Sequence, residues 1–428
     1  MDVDLLVVHA DQLLTLASPA GPKRGAEMAD PGLIPDGAVA VEGETIVAVG
    51  PTAEIASAHR APTVLEARGR VVMPGFVDAH THALFAGFRA EEFELRLRGA
   101  TYLEILQAGG GIQSTVDATR AAPWELLLRE THGRLENMLA HGTTTAEVKT
   151  GYALEKEGEL RLLRAILALD RDPHQALDLV PTFLAAHAVP REFRDDPEGY
   201  VQQAVEEMLP AAAALWEEET AGEERPAPLF CDVFCDQGAF NLGQSRRILE
   251  RARSLGMGLK LHADEFVPLG GTALAVELGA TSADHLVCTP EEELQALAAS
   301  STIAVSLPGT PFGLGQPHYT PARKILEAGG ALALATDLNP GTCYCESMPL
   351  IIALACRTMR LTPAEAVAAA TINAAYAVGW GKRVGSLEVG KQADLLILDL
   401  PDYRHLAYRF GANPVEVVIK RGQVALLR

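Results

Sequence analysis

The chain has 428 residues, 48% of them hydrophobic and 21% charged, which suits a large folded core and excludes a mainly disordered chain. Lys and Arg number 36 against 56 Asp and Glu, a net charge of −20 that argues against nucleic-acid binding and against docking on an anionic membrane. No run nears the roughly 20 apolar residues of a membrane span, the start carries Asp2 and Asp4 where an export signal would be basic, and six scattered cysteines fit a reducing cytoplasm.

The first segment reads as short strands. Leu5–Val8 is one, and Gly37–Val41 with Thr45–Gly50 forms a hairpin around Glu42, Gly43 and Glu44. The stretch from Pro19 to Pro35 is rich in Gly and Pro and reads as a surface loop. After Val71–Met73 the pattern changes to short apolar runs alternating with amphipathic stretches such as Trp124–His141 and Glu291–Ala299. The runs are Gly75–His80, Thr144–Val148, Leu179–Leu184, Leu229–Phe234, Gly258–His262, Ser282–His285, Ile303–Leu307 and Ala331–Asp337.

Eight such runs predict a (β/α)8 TIM-like barrel over residues 71–382, with an open doubly wound sheet as the alternative. The barrel is favoured because most runs carry His, Asp or Glu near their C-terminal edge, where barrel enzymes keep their chemistry. An Ala-rich helix over Pro363–Val378 closes the barrel. The chain then returns to strands at Gly385–Leu387, Ala393–Leu398 and Val415–Lys420. Neither terminal block makes a core alone, so residues 1–70 and 383–428 are expected to form one small composite β-sandwich. The acidic stretch Trp216–Arg225 reads as a solvated helix end or loop, and the whole segment 211–228 as extra length between strands.

His80 and His82 end the first barrel strand. Residues two apart on a strand point to one side, so both imidazoles face the barrel mouth. An isolated His-x-His pair is usually two surface histidines. Here His262 ends the fifth run, His285 the sixth and Asp337 the eighth, which turns the reading toward a metal site. Cys343 and Cys345 have no second pair to complete a thiolate site and read as packing residues.

The run Pro74–His82, with histidines ending strands five and six and an aspartate ending strand eight, resembles the amidohydrolase superfamily of metal-dependent barrel hydrolases. Many dinuclear members use a carboxylated lysine on strand four. Leu229–Phe234 has none, and Lys149 near the end of strand two does not fit that role, so the resemblance implies one metal ion per subunit, zinc or iron. Longer blocks, Phe85–Phe93, Arg98–Ile105, Gly109–Ile112, Glu147–Tyr152 and Thr336–Gly341, resemble the branch that opens 4-imidazolone-5-propanoate to N-formimino-L-glutamate in histidine degradation. The resemblance also suggests a homodimer.

That resemblance implies a set of roles. His80, His82, His262 and Asp337 would hold the metal, which activates water. His285 would orient or deprotonate that water or hold the developing oxyanion. Asp337 would pass a proton to the leaving ring nitrogen, and Glu265 would hydrogen-bond the ring, a structural ion pair being the alternative. Arg89 would clamp the propanoate carboxylate. Tyr152, His187, Asn339, Gly341 and Thr342 carry over as substrate contacts, although His187 taken alone would read as a core histidine. Gly109–Gly111 and Pro308–Gly315 are loop candidates for a lid. The competing functions are a purine or pyrimidine deaminase of the same superfamily and a metal-free scaffold kept for assembly.

Overall fold

The computed structural model describes residues 1–99, 110–224 and 226–428. Ala100–Ile105 of one matching block, Gly109 of the glycine loop and Arg225 of the acidic stretch lie outside the described residues. The eight predicted runs form the strands Phe76–Asp78, Thr143–Lys149, Asp178–Ala186, Phe230–Cys235, Gly258–Ala263, Ser282–His285, Ile303–Ser306 and Leu332–Leu334. They pair in parallel and in chain order. The first and last then meet. Thr81 bridges Leu338, the Asp337 N–H donates to His80 O at 3.1 Å and the His82 N–H donates to Leu338 O at 2.8 Å. The sheet is a closed barrel, not an open wound sheet.

These strands are buried on both faces, as parallel barrel strands must be; every residue of Asp178–Ala186 is buried. Outside them lie amphipathic helices such as Trp124–Ala140, Lys156–Asp170 and Leu242–Ser254. The barrel interior is unusual. Where branched apolar layers are the rule, Asp78, Glu147, Lys149, Asp232, Lys260 and Asp284 are all fully buried. Such charges persist inside only when paired.

The two termini share a second sheet of eight strands. The strands Gln423–Leu427, Val415–Lys420, Leu395–Leu398, Val71–Pro74, Leu5–Leu14, Leu33–Glu42 and Thr45–Pro51 follow one another in that order, and Thr63–Glu66 pairs with Leu5–Leu14. Leu5, Val39 and Val41 from the N-terminal half share a core with Leu395, Ile397 and Val417 from the C-terminal half. Val71–Pro74 pairs here with Leu395–Leu398, immediately before the chain enters the barrel. Beneath the barrel, Lys420 Nζ reaches Asp178 Oδ2 at 2.7 Å and Asp394 Oδ2 at 2.6 Å, and Arg421 also pairs with Asp178. This buried cluster ties the start of the third barrel strand to the last turn of the terminal sheet.

Three local expectations fail for identifiable reasons. The segment from Pro19 to Pro35 is not a free surface loop. Met28 is fully buried, Arg24 donates to Ala298 O and Ser300 O, and Gly25 N donates to Gly330 O, so the segment plugs the barrel floor. Pro363–Val378 is two helices, Pro363–Ala369 and Ile372–Ala377, because Thr371 leaves helical geometry. The break frees Ala370 O to accept from Val77 N at 3.0 Å in the first barrel strand. Gly385–Leu387 forms no strand and is held through Leu387 N to Thr15 O. In the 211–228 segment a helix continues to Glu219, and Trp216 Nε1 donates to Ala227 O across the following turn.

Candidate metal centre and active site

His80 and His82 follow the first strand, and their Nε2 atoms lie 3.3 Å apart. His262, from the fifth strand, brings its Nε2 within 3.4 Å of His82 Nε2. Asp337, just past the eighth strand, places Oδ1 3.6 Å from His80 Nε2 and 3.5 Å from His82 Nε2. A tetrahedron with arms of about 2.1 Å, the usual zinc–nitrogen or zinc–oxygen length, has edges of about 3.4 Å. His80, His82 and Asp337 match three edges of such a site and His262 joins it at His82; all four side chains are buried.

Carboxylates turn two of the imidazoles. His80 Nδ1 donates to Asp284 Oδ2 at 2.6 Å, which leaves the Nε2 lone pair directed inward. His262 Nδ1 lies 2.9 Å from Asp232 Oδ2, in bent geometry, and Asp232 Oδ1 accepts from the His262 N–H at 3.2 Å. Burial drives the basicity of His80 and His82 well below the ordinary imidazole range, so both rings are neutral, as metal ligation requires. Burial lifts the Asp337 carboxyl to about 6, and the Thr310 hydroxyl, which donates to its Oδ2, works the other way.

His285 is different. Its two ring nitrogens are buried and have no hydrogen-bond partner among the described residues, the nearest approach being Nε2 to Glu265 Oε2 at 3.5 Å. An unpaired buried imidazole is costly unless a ligand completes it. Its backbone sits at φ 74°, and that of Asp337 at φ 54°, a left-handed conformation rare outside glycine. Thr320 Oγ1 donates to His285 O at 2.6 Å and pins the strained turn. Burial also holds His285 neutral and raises the Glu265 carboxyl well above its ordinary range, with the Asp337 and Asp236 charges adding to the rise.

Above the metal donors, His187 stacks on His82 with ring centroids 4.8 Å apart and the planes 18° from parallel. Its Nδ1 bonds Gly151 O at 2.9 Å. Gly151 has φ +103°, and a Cβ there would fall 2.9 Å from Leu184 O, so glycine is required for this approach. Tyr152 is buried beside both rings, and its phenol feels the charges of Arg89 and Asp337. Arg89 packs directly over Gly341, where a Cβ would meet Nη1 at 2.4 Å. A cavity of about 480 Å³ opens along Arg89, Arg96, Gly341, Thr342 and Tyr344.

A model of the amidohydrolase family matches residues 71–425, and one for the imidazolonepropionase-like composite domain of bacteria matches residues 37–61. An imidazolonepropionase from Herpetosiphon aurantiacus is 56% identical over 97% of both chains. Another from Symbiobacterium thermophilum is 51% identical, covering 99% of this chain and 97% of its own. The chain belongs to the imidazolonepropionase family of amidohydrolases. Solved structures agree on the fold. A zinc-bound adenosine deaminase from Xanthomonas campestris superposes with a TM-score of 0.73 at 21% identity, over 100% of this chain and 93% of its own. Guanine deaminase from E. coli gives 0.71 at 16%, over 99% of both.

Within this imidazolonepropionase-family site the residues singled out from sequence converge at one rim of the barrel, with two qualifications. Arg89 is not a free cation. Its Nε and Nη2 donate to the two Glu92 oxygens at 2.9 and 2.7 Å, which leaves Nη1 as the group turned to Gly341. The Asn339 side chain is spent within its own loop. Its Oδ1 accepts from Gly341 N and Thr342 N, each at 2.8 Å, and its Nδ2 donates to Asp337 O and Thr342 Oγ1. Pro308–Gly315 is not a loose flap either, because Gly309–Gly313 is a short helix whose Thr310 holds Asp337.

Several residues at this site escaped the sequence reading: Asp232, Asp284, Glu147, Thr310 and Glu92. One signal was available. A charged residue inside a run that should be apolar on both faces, such as Asp232 in Leu229–Phe234, needs a partner within the barrel.

Proposed function

We propose that this chain hydrolyses the ring amide of 4-imidazolone-5-propanoate to N-formimino-L-glutamate, a step of histidine degradation. The observation that carries the proposal is the compact set of His80, His82 and Asp337, with His262 against His82, beside a buried His285 that has no hydrogen-bond partner among the described residues. The relatives above, named imidazolonepropionase, support the substrate. One divalent or trivalent ion, zinc or iron, held by those four residues supplies Lewis acidity that polarises a carbonyl and makes water acidic.

The remaining roles fall to the chain's own groups. Neutral His285 accepts the proton of the attacking water, and its unused nitrogens suit that task. The new carbon–oxygen bond forms at the ring carbonyl as the ring carbon–nitrogen bond breaks. Asp337, steadied by Thr310, takes that proton from His285 and delivers it to the departing nitrogen, so both groups end as they began. Glu265, kept protonated by burial, donates a hydrogen bond to the ring. Arg89 Nη1 takes the propanoate carboxylate while Glu92 holds the rest of the guanidinium. Tyr152 and His187 line the ring, and Asn339 acts by shaping the backbone of Gly341 and Thr342.

Among the described residues no helix is long and apolar enough to cross a membrane. The net charge of −20 disfavours nucleic acid or an anionic membrane as a partner, and the family resemblance supports a cytoplasmic homodimer. The test is an absorbance assay of imidazolone propanoate loss with purified protein, paired with elemental analysis. Turnover with one ion per chain is expected. No turnover of this substrate alongside deamination of a purine or pyrimidine would overturn the reading.

A further inference from the structure

The four-donor centre has a neighbour. His80, Asp232 and Asp284 form a second set whose ligand atoms lie within 4.8 Å of one another, all buried. Glu147 stands beside it, reaching Lys149 and Lys260. Asp284 Oδ1 and Glu147 Oε2 are buried with no hydrogen-bond partner. Carboxylates so arranged call for a cation. Two ammonium groups answer them: Lys260, 3.5 Å from Glu147 Oε1, and closer in, the fully buried Lys149, 2.8 Å from Asp232 Oδ2 and 2.7 Å from Glu147 Oε1. Burial opposes its charge, and Asp232, Glu147 and Asp284 more than restore it. Asp232 Oδ2 is shared between Lys149 and His262 Nδ1, so the ammonium also fixes the carboxylate that turns a metal ligand.

We propose that Lys149 stands in for a second divalent cation: its ammonium fills the place between Asp232 and Glu147, holds the centre to one ion, and positions His262 through Asp232. Lys149 is a positioning residue and touches no substrate. The inference rests on the metal reading of the site above. It also gives a use to a residue that has no place in the chemistry of the reaction.

The test uses the full chain, stripped of metal and titrated with Zn²⁺, with ions per chain counted by elemental analysis and melting followed by circular dichroism. Wild type is expected to take one ion. Lys149→Ala, with charge and bulk both gone, is expected to take two, and its melting temperature should climb with added Zn²⁺ beyond the wild-type response. Lys149→Met removes the charge but fills the space; it should keep one ion and lose it to a chelator about 10- to 100-fold faster. A Lys149→Ala variant that saturates at one ion overturns the proposal, as does wild-type chelator resistance in Lys149→Met. If Lys149→Ala folds only with Zn²⁺ and then carries two ions, the proposal stands. If it folds under neither condition, Asp232→Asn decides: faster loss of the single ion supports the proposal and an unchanged rate overturns it. A wild type that binds no ion would instead sink the metal reading itself.

Discussion

Replacing Lys420 with Met tests how the terminal sheet is fastened to the barrel. The side chain is nearly fully buried, and its ammonium sits 2.7 Å from Asp178 Oδ2 and 2.6 Å from Asp394 Oδ2. The methionine fills the space but leaves two buried carboxylates facing each other, with the half-exposed Arg421 as the remaining cation on Asp178 and the Gln392 amide bonded to both. Removing one partner from such a cluster costs about 3–5 kcal/mol. With an unfolding entropy of about 2 cal/mol/K per residue over a chain of this length, the apparent Tm should fall by about 3–6 °C at pH 7.

The pH dependence gives the sign. Burial alone would raise Asp178, but the Lys420 and Arg421 charges hold it at about 2, below the ordinary 3.8. A depressed carboxyl contributes stability that is present above its unfolded pKa and lost as pH falls from about 4 through about 2. Without Lys420 that carboxyl titrates at higher pH, so the deficit of the variant should shrink toward pH 4, where protonation relieves the repulsion. Adding Asp394→Asn should recover part of the loss in a double-mutant cycle followed by thermal melts. A Tm unchanged at pH 7, or a deficit that widens on acidification, would refute the reasoning.

Three further outcomes are expected. His285→Ala should keep its metal, measured by elemental analysis, and lose at least about 100-fold in kcat, the usual scale of a general base; near-normal turnover would remove it from the proton path. Arg89→Ala should raise KM more than it lowers kcat in steady-state assays, and a pure kcat loss would count against the carboxylate clamp. Thr310→Val should leave metal content unchanged and lower kcat by about 10-fold, on the order of one lost hydrogen bond to a charged group; loss of the ion itself would show that Thr310 secures ligation instead.

Much of the architecture was legible because strand and helix periods differ and the chain alternates between them. All eight barrel runs were found, and His80, His82, His262, His285 and Asp337 stood out because they end strands. What stayed hidden depended on long-range pairing. Arg89 reads as a lone cation until Glu92 is seen one helical turn away, closing on two of its three nitrogens. Asn339 reads as a substrate group until the turn it stitches together exists. Met28 lies in a stretch that composition marks as loop, and only the barrel floor gives it somewhere to bury. Lys149 was set aside for standing on the wrong strand, since its partner Asp232 lies on the fourth strand, two strands away around the sheet.

The seam where the first and eighth strands meet has a consequence for biosynthesis. His80 and Asp337 stand on opposite sides of that seam, joined by the hydrogen bond from Asp337 N to His80 O. A polypeptide still leaving the ribosome exposes three imidazoles long before the closing carboxylate emerges, so an ion captured early has an incomplete grip and is readily surrendered. Secure loading would have to wait until that seam closes, with Leu395–Leu398 pairing onto Val71–Pro74 just ahead of it. Metal acquisition would thereby report that the barrel has closed.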